Sequence, residues 1–343
     1  AVFGPGRSGA RLESSKSFAK QFMERNGIPT ARYRVAHDAR HAERLLAGWP
    51  QNVVLKADGL AGGKGVVVCA SQDEARATLV EWYGKRTLPG GGNDVILEEA
   101  LEGPEVSLLA FFDGSRYAVL EPACDYKRAR DGDSGPNTGG MGAYSPAPDV
   151  LSADLMGKVR SSVFDRALEG LKREDIEYRG CLYAGLMLTS RGPMVLEFNA
   201  RLGDPETQAL LPRLSSDLFV TLQAVANGRL DEHAFPSFIH RACVAVVLTG
   251  DGYPLHAQAV HGMPAFADDD PDVAAFWGVS RSGESGISAD GGRILTISAL
   301  GDDMESARRR AYDACSRYER KLPQGLALRY RRDIADRAVA ATR

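Results

Sequence analysis

Apolar residues recur at helical spacing near the start of the chain. Residues 14–26 present one apolar face and are followed by Gly27 and Pro29, which are stop signals, so a helix is predicted there. Lys16 and Lys20 project from its first turns, where solvated side chains are the simplest interpretation. The apolar face consists of Phe18, Ala19, Phe22 and Met23.

A β-hairpin is predicted next. Two β-branched runs, 53–55 and 66–68, flank a loop that carries four glycines and a lysine, and Lys56 leaves the first run. A capping-box pattern at Ser71 and Glu74 then opens a helix, and an apolar strand follows at 95–99. Residues 41–99 are therefore predicted as strand, hairpin, helix and strand, a small unit that can close as a lid.

The alternation of strands and helices continues to the end of the chain. Strands are predicted at 106–112, 117–120, 182–188 and 194–199, with a helix over 153–171. After residue 241 the pattern becomes mainly β, with strands at 243–248 and 294–299 and a closing helix over 304–318. This last part offers no chemical constellation of its own. The whole pattern predicts an α+β protein.

Composition narrows the possible partners. Lys plus Arg number 42 and Asp plus Glu 45, a net charge of −3, so no overall field attracts nucleic acid or a membrane surface and we expect neither partner. Five cysteines, none in a C-x-x-C pair, favour reduced thiols in a cytoplasm and argue against zinc. No apolar run approaches the ~18 residues of a membrane span.

The loop of the hairpin suits a polyphosphate. Glycines let a backbone approach a ligand closely, and successive N–H groups beside ammonium charges attract phosphate oxygens. A Walker A loop is excluded, because it would need glycine in place of Asp58 and a hydroxyl in place of Gly65. The alternative is a flexible glycine-rich turn with solvated lysines.

Two further stretches carry chemistry. The loop 125–142, rich in glycine and small polar residues, suits a backbone that wraps a polar ligand, and a bare surface loop is the alternative. On strand 194–199, alternation places Leu196 and Phe198 on one face and Glu197, Asn199 and Arg201 on the other. A carboxylate and an amide oxygen at this spacing suit Mg²⁺ bound with a nucleotide. A solvated strand face with ion pairs is the alternative.

Five segments of the chain together resemble the phosphoribosylamine–glycine ligases, ATP-grasp enzymes of purine biosynthesis. They are VVLKADGLAGGKGVVV, ILEEALEGPEVS, DSGPNTGGMGAYSPAP, YRGCLYAGLM and LEFNARLGDPETQ. The resemblance runs from Ala1 to the final helix. Many other ATP-grasp enzymes, such as biotin carboxylase, carry a second acidic metal ligand on the strand before the E-x-N strand, where this chain has Gly185, Leu186 and Met187. That departure favours the ligase.

The resemblance implies an ATP-grasp fold of the α/β (α+β) class. It implies a small lid subdomain, a central antiparallel-sheet subdomain and a C-terminal, mainly β domain. We expect these at 41–103, 104–240 and 241–343, after a linker and helices over 1–40 that lead from an absent N-terminal domain. In the family a Rossmann-like domain stands there and helps to bind the phosphate of phosphoribosylamine, so we expect residues 1–343 alone to bind MgATP but to ligate poorly.

The implied reaction joins glycine to 5-phosphoribosylamine through glycyl phosphate, with ATP and Mg²⁺, or Mn²⁺ in its place. The phosphates would be contacted by Lys16 and Lys56 and covered by Gly62, Gly63, Lys64 and Gly65. The adenine would be bound by the backbone of Glu98, Glu99, Ala100 and Leu101, and the ribose by Glu105. The metal would be held by Glu197 and Asn199. Asp125, Asn137, Thr138, Gly139, Arg201 and Asp204 would contact the substrates, with Lys56, Arg201 and Asp204 as the catalytic residues.

Two other functions remain open at this point. One is another ATP-grasp carboxylate–amine ligase or a carboxylase, and the other is an ATP-binding module that is inactive without its N-terminal domain. The intact residues Lys56, Glu197, Asn199 and Arg201 argue against a decayed site. The oligomeric state is open between a monomer and a weak dimer.

Overall fold

The computed structural model describes residues 1–50, 52–60, 65–90, 92–283 and 286–341. The chain folds into two compact units, each assembled from separate stretches. The first unit comprises Ala1–Leu120, Leu151–Leu202 and Phe219–Phe235. The second unit comprises Glu121–Val150, Gly203–Leu218 and Pro236–Arg343.

Helices and strands occur in both units. The α-helices are α1 Arg7–Ser14, α2 Lys16–Arg25, α3 Ala39–Ala47, α4 Gln72–Leu79, α5 Ala153–Val159, α6 Asp165–Arg173, α7 Glu206–Leu210, α8 Leu218–Ala226, α9 Met304–Glu319 and α10 Asp336–Ala341. The strands are β1 Tyr33–Ala36, β2 Val53–Ala57, β3 Val66–Cys69, β4 Val95–Glu99, β5 Glu105–Phe112, β6 Tyr117–Val119, β7 Cys124–Asp125, β8 Arg128–Arg130, β9 Ser134–Asn137, β10 Gly142–Ser145, β11 Gly180–Thr189, β12 Gly192–Asn199, β13 Ala242–Thr249, β14 Val260–Met263, β15 Val273–Trp277, β16 Arg281–Gly283, β17 Gly286–Ala289 and β18 Arg293–Gly301.

The first unit opens with two helices where one was predicted. Ser15 has an extended backbone, which ends α1, and its hydroxyl accepts the N–H of Phe18, which caps α2. The sequence pattern missed α1 because its eight residues bury little, only Gly9 and Leu12. The apolar face predicted for α2 is confirmed by the burial of Phe22 and its neighbours.

A four-stranded antiparallel sheet in the order β1-β4-β2-β3 lies in the region predicted as the lid, and we call it the lid sheet. The predicted hairpin is confirmed, with Val53 opposite Cys69 and Lys56 opposite Val66. The strand expected at the start of 41–99 is wrong, because α3 lies there, capped by the carboxylate of Asp38. The sheet also includes β1, which precedes residue 40. The domain boundary expected at that residue would therefore separate β1 from the other three strands of its own sheet.

The predicted helix after the hairpin is confirmed as α4, with a π-helical turn at Val80–Gly84. Ser71 accepts the N–H of Glu74 as expected, but the carboxylate of Glu74 accepts the N–H of Ala70 instead of that of Ser71. Helices α3 and α4 cover one face of the lid sheet. Their shared core consists of Ala36, Ala42, Leu46, Trp49, Val53, Leu55, Ala57, Cys69, Ala75, Leu79, Trp82, Val95 and Leu97.

A second antiparallel sheet, in the order β12-β11-β5-β6, forms the centre of the first unit. Its four strands confirm the predicted pairs. The helix expected over 153–171 is present as α5 and α6, joined by the π-helical turn Arg160–Phe164. Phe164 on this turn and Tyr117 on β6 both contact Phe112, with ring centroids 6.2 Å and 5.2 Å away. The helical layer thus packs on the sheet through aromatic side chains.

The second unit is built on a five-stranded sheet in the order β15-β18-β13-β10-β7. The predicted strands at 243–248 and 294–299 are its neighbouring strands β13 and β18, and the predicted closing helix is α9, which buries Met304, Ala307, Ala311, Cys315 and Tyr318. Strands β7 and β10 belong to the segment 121–150 and pair in this sheet next to β13. The compact units therefore divide the chain differently from the boundary expected at residue 240.

We expect Leu55→Ala to destabilise the lid by about 2–5 kcal/mol, because Leu55 is fully buried and the substitution leaves a cavity. Urea unfolding followed by tryptophan fluorescence measures this, since Trp49 and Trp82 lie in the same core. Val68→Ala is the matched control on the neighbouring strand, because Val68 is 51% exposed and its loss should cost within about 0.5 kcal/mol. Equal midpoints for the two variants would contradict this description of the core.

Candidate active site

Three charged side chains form a buried cluster in the first unit. Glu98 on β4 is 1% exposed, and its Oε2 lies 2.9 Å from Nζ of Lys56 on β2 and 3.0 Å from Nζ of Lys20 on α2. Lys56 also donates to the carbonyl of Leu196 (3.1 Å), and Lys20 to the hydroxyl of Thr30 (2.7 Å). Oε1 of Glu98 is buried and has no partner among the described residues. The cluster thus holds one surplus positive charge and one unused acceptor.

The electrostatics of this cluster follow from burial and pairing. Burial disfavours a charged ammonium and lowers the pKa of Lys20 to about 8, although Glu98 opposes that shift. Burial alone would raise the pKa of Glu98, but the charges of Lys56 and Lys20 outweigh it and hold the pKa below its usual range. Glu98 is therefore a carboxylate at neutral pH. The expectation that Lys20 is solvated is wrong, because its side chain is 2% exposed.

Lys16 lies beside the base of the glycine-rich loop. Its Nζ donates to the carbonyls of Ala57 (3.2 Å) and Gly59 (2.8 Å), and burial lowers its pKa. Between these two residues, the carboxylate of Asp58 accepts the hydroxyl (2.7 Å) and the backbone N–H (3.2 Å) of Ser17. The start of α2 is thereby fastened to the point where β2 enters the loop. Three predicted loop residues, Gly62, Gly63 and Lys64, lie outside the described residues, whereas Gly65 accepts the N–H of Ala57.

Glu197 and Asn199 lie on β12, and the predicted alternation along this strand is only partly right. A β-bulge opposite Gly185 and Leu186 makes Leu196 an extra residue, so Val195 is buried in place of Leu196, together with Phe198. Glu197 and Asn199 are both half-buried and have no hydrogen bond or ion pair from their side chains within the described part of the chain. The bulge brings the carbonyl of Leu196, next to Glu197, to Lys56.

Gly185 keeps the space beside Glu197 open. A Cβ at Gly185 would lie 3.5 Å from Cγ of Glu197, in van der Waals contact, so a larger side chain there would meet the carboxylate arm. One carboxylate and one amide oxygen fit Mg²⁺, which takes few protein ligands when a nucleotide supplies the others. The donor set therefore suits the expected ion.

Arg201 follows β12 and is held by α1. Its Nε donates to Oε1 of Glu13 (2.9 Å) and its Nη1 to the carbonyl of Leu202 (3.0 Å), while Oε2 of Glu13 accepts the N–H of Ala200 (2.9 Å). The Arg201 side chain remains 57% exposed. Glu13 thus orients the guanidinium of Arg201, which remains accessible to solvent. The sequence analysis did not single out Glu13, because α1 was not predicted.

The segment expected to bind adenine links β4 to β5. Glu99 accepts from Arg191 (2.9 Å), and Ala100 and Leu101 are half-buried in the connection. Glu105 begins β5, where its backbone is paired with Met187. Glu98 is different from the expectation, since its backbone lies in a central strand between β1 and β2 and its side chain belongs to the buried cluster.

The predicted substrate loop lies in the second unit. The hydroxyl of Thr138 donates to the carbonyl of Lys127 (2.9 Å) and accepts the N–H of Gly140 (3.0 Å), so this side chain shapes the loop. Asn137 ends β9, and Gly139 donates its N–H to the hydroxyl of Tyr253 (3.3 Å). A cavity of about 380 Å³ adjoins the loop; its lining includes Arg130, Pro136, Met141, Tyr253 and Arg329.

Two acids of the expected substrate site are engaged within the second unit. Asp125 is 7% exposed and lies 3.7 Å from Nζ of Lys127. Asp204 accepts from Arg293 (2.9 Å) through Oδ2 and from Gln208 (2.9 Å) through Oδ1. Both carboxylates are therefore fixed by basic or amide side chains of their own unit.

The C-terminal segment contacts the two-stranded sheet β8–β9, which is part of the predicted substrate loop. Arg331 is 1% exposed, pairs with Asp333 and Asp133, and donates to the carbonyl of Arg128 (3.1 Å). Asp133 has a left-handed backbone (φ +50°), and the N–H of the preceding Gly132 donates to Asp333 (2.9 Å). The β8–β9 turn is thus fastened by ion pairs.

Several of these residues were missed by sequence reasoning. Lys20 follows Lys16 by one helical turn, so their shared face was visible in the sequence, but burial was not. Glu13, Asp58 and Arg293 carry no local motif. Their partners are more than forty residues away, and the sequence alone gives no signal for such contacts.

Each of the five cysteines is a buried free thiol. Burial raises the pKa of the Cys69 thiol to about 11 and that of Cys243 to about 12. Within the described ranges, the helices are too short or too polar to cross a lipid bilayer.

Known proteins resemble the chain along most of its length. The family model for the ATP-grasp (A) domain of phosphoribosylglycinamide synthetase matches residues 14–207, and the model for the C domain of the same enzyme matches residues 243–337. Phosphoribosylamine–glycine ligase of Rhodopirellula baltica is 43% identical over 321 residues, which cover 91% of this chain and 73% of that protein. The trifunctional purine biosynthetic protein adenosine-3 of Gallus gallus is 42% identical, over 98% of this chain but only 33% of that protein.

Solved structures agree with these sequence matches. Phosphoribosylamine–glycine ligase from Thermotoga maritima superposes with a TM-score of 0.85 at 36% identity, covering 97% of this chain and 82% of that one. The biotin carboxylase domain of 2-oxoglutarate carboxylase from Hydrogenobacter thermophilus gives a TM-score of 0.72 at 15% identity, over 99% of this chain and 76% of that one. The second match shows a shared fold alone. The predicted ATP-grasp architecture is therefore confirmed.

We expect Glu98→Gln to destabilise the first unit by about 3–5 kcal/mol, because it leaves two buried ammonium groups without a counter-charge. Glu99→Gln on the same strand is the matched control, since the Glu99–Arg191 pair is 31% and 53% exposed and its loss should cost within about 1 kcal/mol. Urea unfolding at pH 7 compares the two variants. Equal stabilities would show that the cluster is solvated.

Proposed function

Because the chain belongs to the phosphoribosylglycinamide synthetase family, we propose that it ligates glycine to 5-phosphoribosylamine at the expense of ATP. The products are glycinamide ribonucleotide, ADP and phosphate. The observation that carries the proposal is the hydrogen bond from Lys56 to Leu196, because it brings the ammonium expected to bind phosphate to the strand of Glu197 and Asn199.

The nucleotide is assigned to the first unit. Lys16 and Lys56 offer ammonium groups to the phosphates, and residues 62–65 cover them from the loop. The backbone of Glu99, Ala100 and Leu101 receives the adenine, and Glu98 offers its unused side-chain Oε1 as an acceptor for an exocyclic amine. Glu105 receives the ribose hydroxyls.

Glu197 and Asn199 hold Mg²⁺, with Mn²⁺ as a substitute. When bound, the cation neutralises the charge that develops on the transferring phosphoryl group. Arg201 binds the carboxylate of glycine and then the acyl phosphate, since its guanidinium is oriented by Glu13 but still accessible.

The acceptor is assigned to the second unit. Asn137 contacts glycine or ribosylamine directly, Asp125 does so from its pair with Lys127, and Gly139 offers backbone groups. Thr138 and Asp204 act through the shape of the loop, since their side chains are already hydrogen-bonded within the protein. The adjoining cavity has room for a sugar phosphate, and its wall carries three arginines, Arg130, Arg329 and Arg331, against two acids, Asp131 and Asp251, a positive balance that suits a phosphate.

The chemistry proceeds in two steps. A carboxylate oxygen of glycine attacks the γ-phosphorus of ATP, ADP leaves, and glycyl phosphate forms. The amine of phosphoribosylamine then attacks the carbonyl carbon, the C–N bond forms, the amine loses a proton and phosphate leaves. No side chain serves as a nucleophile. Positioning, charge neutralisation and exclusion of water from the acyl phosphate supply the rate.

We also propose a cytoplasmic location and a monomer or weak dimer. The five buried thiols suit a reducing compartment.

Two alternatives are tested by the same assay. A carboxylase of this fold would release phosphate with bicarbonate in place of glycine, and an inactive ATP-binding module would release none with any substrate. The fold shared with biotin carboxylase domains motivates the bicarbonate arm.

We expect ADP formation by the 343-residue chain to need MgATP, glycine and freshly generated phosphoribosylamine together. Glu197→Ala should lower turnover by about 10²-fold or more, because the phosphoryl charge loses its counter-ion. Removal of divalent metal by EDTA should abolish turnover, and excess Mg²⁺ should restore it. A coupled ADP assay measures all three.

Glu169→Ala on the exposed face of α6 is the control and should retain wild-type turnover. Equal turnover with bicarbonate and without glycine would identify a carboxylase instead. Metal-dependent ATP binding without turnover under any condition would favour the ATP-binding module that is inactive without its N-terminal domain.

A further inference from the structure

Arg293 begins β18 in the second unit and lies outside every segment that the sequence analysis linked to chemistry. Two glycines precede it, Gly291 (φ +101°) and Gly292 (φ +81°), and this left-handed turn sets the start of the strand. The Arg293 side chain is only 24% exposed. Arg293 is therefore partly buried at the start of β18, and most of the residues that follow it in this strand are buried in the core.

The guanidinium joins two separate loops. Its Nη1 donates to the carbonyls of Gly139 (2.7 Å) and Asp204 (2.6 Å), and its Nη2 donates to Oδ2 of Asp204 (2.9 Å). Three charge-assisted hydrogen bonds thus converge on one side chain. A lysine could not reproduce this planar fork.

The residues packed against these bonds are glycines. A Cβ at Gly139 would lie 3.0 Å from Cζ of Arg293, closer than side chains normally approach. Gly140 has φ +111°, and a Cβ there would lie 2.4 Å from Cδ of Pro205. The two glycines therefore let the loop lie directly against Arg293 and the Asp204–Pro205 turn.

Asp204 is fixed from both sides, because its other carboxylate oxygen accepts from Gln208 on α7. The hydroxyl of Tyr253 accepts the N–H of Gly139, and Arg293 donates to the carbonyl of the same glycine. The backbone of Gly139 is thus fixed at both its donor and its acceptor.

We propose that Arg293 is a positioning residue for the acceptor step of the ligase reaction. It holds the loop 137–140 and the Asp204 turn in one geometry, and it acts through them instead of touching the nucleotide. This proposal rests on the proposed function, which assigns the two loops to glycine and phosphoribosylamine. It also gives the C-terminal β-rich part of the chain a chemical role that its sequence did not suggest.

The test compares Arg293→Met, Arg293→Lys and a control, Arg310→Met. Arg310 is 31% exposed, pairs with Asp270 and Asp272, and donates to the carbonyl of Leu300, so it loses comparable contacts away from the loop. KM values for glycine, phosphoribosylamine and ATP are measured for each variant, and hydrogen exchange is followed in residues 137–141.

For Arg293→Met we expect the KM of glycine or phosphoribosylamine to rise about tenfold or more, and exchange at Gly139 and Gly140 to accelerate by a similar factor, because charge-assisted bonds are lost. The KM of ATP should stay within about twofold. Arg293→Lys should recover part of the loss, since it keeps the charge but not the fork. Arg310→Met should change neither the KM values nor the exchange in this loop.

Unchanged exchange in 137–141, or a rise in the KM of ATP equal to that of the acceptor substrates, would overturn the positioning role while leaving the ligase function in place. A wild-type chain that forms no ADP with both substrates would instead overturn the proposed function, and with it the role in the acceptor step. The wild-type control therefore separates the two failures.

Discussion

The structure of the first unit depends on a single buried carboxylate. Glu98 faces the ammonium groups of Lys56 and Lys20, and these three residues come from two strands of the lid and one helix. Buried charges are stable only when they are paired, so the lid sheet and α2 are held in one arrangement. Lys56 extends this constraint to β12 through the carbonyl of Leu196. The position of Lys56 relative to the strand of Glu197 and Asn199 is thus a consequence of electrostatic pairing in the core.

The sequence was sufficient wherever one segment carried its own signal. Alternation and turn glycines located the β2–β3 hairpin, the four strands of the central sheet, the pair β13 and β18, and α9. It failed at β12, because a bulge changes the side-chain order without changing the composition, and Val195 is buried where Leu196 was expected. It also failed at Lys20, since burial of a lysine depends on a glutamate 78 positions away that only the fold brings near.

Candidate site residues divide in the same way. Glu197 and Asn199 were found from spacing on one strand, whereas the residues that orient the site come from distant parts of the chain. Glu13 orients Arg201, and Arg293 and Arg331 fasten the two ends of the predicted substrate loop. Motifs in the sequence therefore mark the groups expected to touch ligands. The arginines and acids that hold them in place carry no motif, because their role depends only on tertiary distance.

Lys16 shows how this organisation affects affinity. Its ammonium already donates to the carbonyls of Ala57 and Gly59, and an ammonium has a third N–H that remains for a phosphate. Ordering a free lysine side chain costs roughly 1.5–2 kcal/mol of conformational entropy. Here that loss occurs when the protein folds and not when a nucleotide arrives. For the phosphate contact proposed for Lys16, this preorganisation is worth roughly tenfold or more in affinity over a mobile lysine.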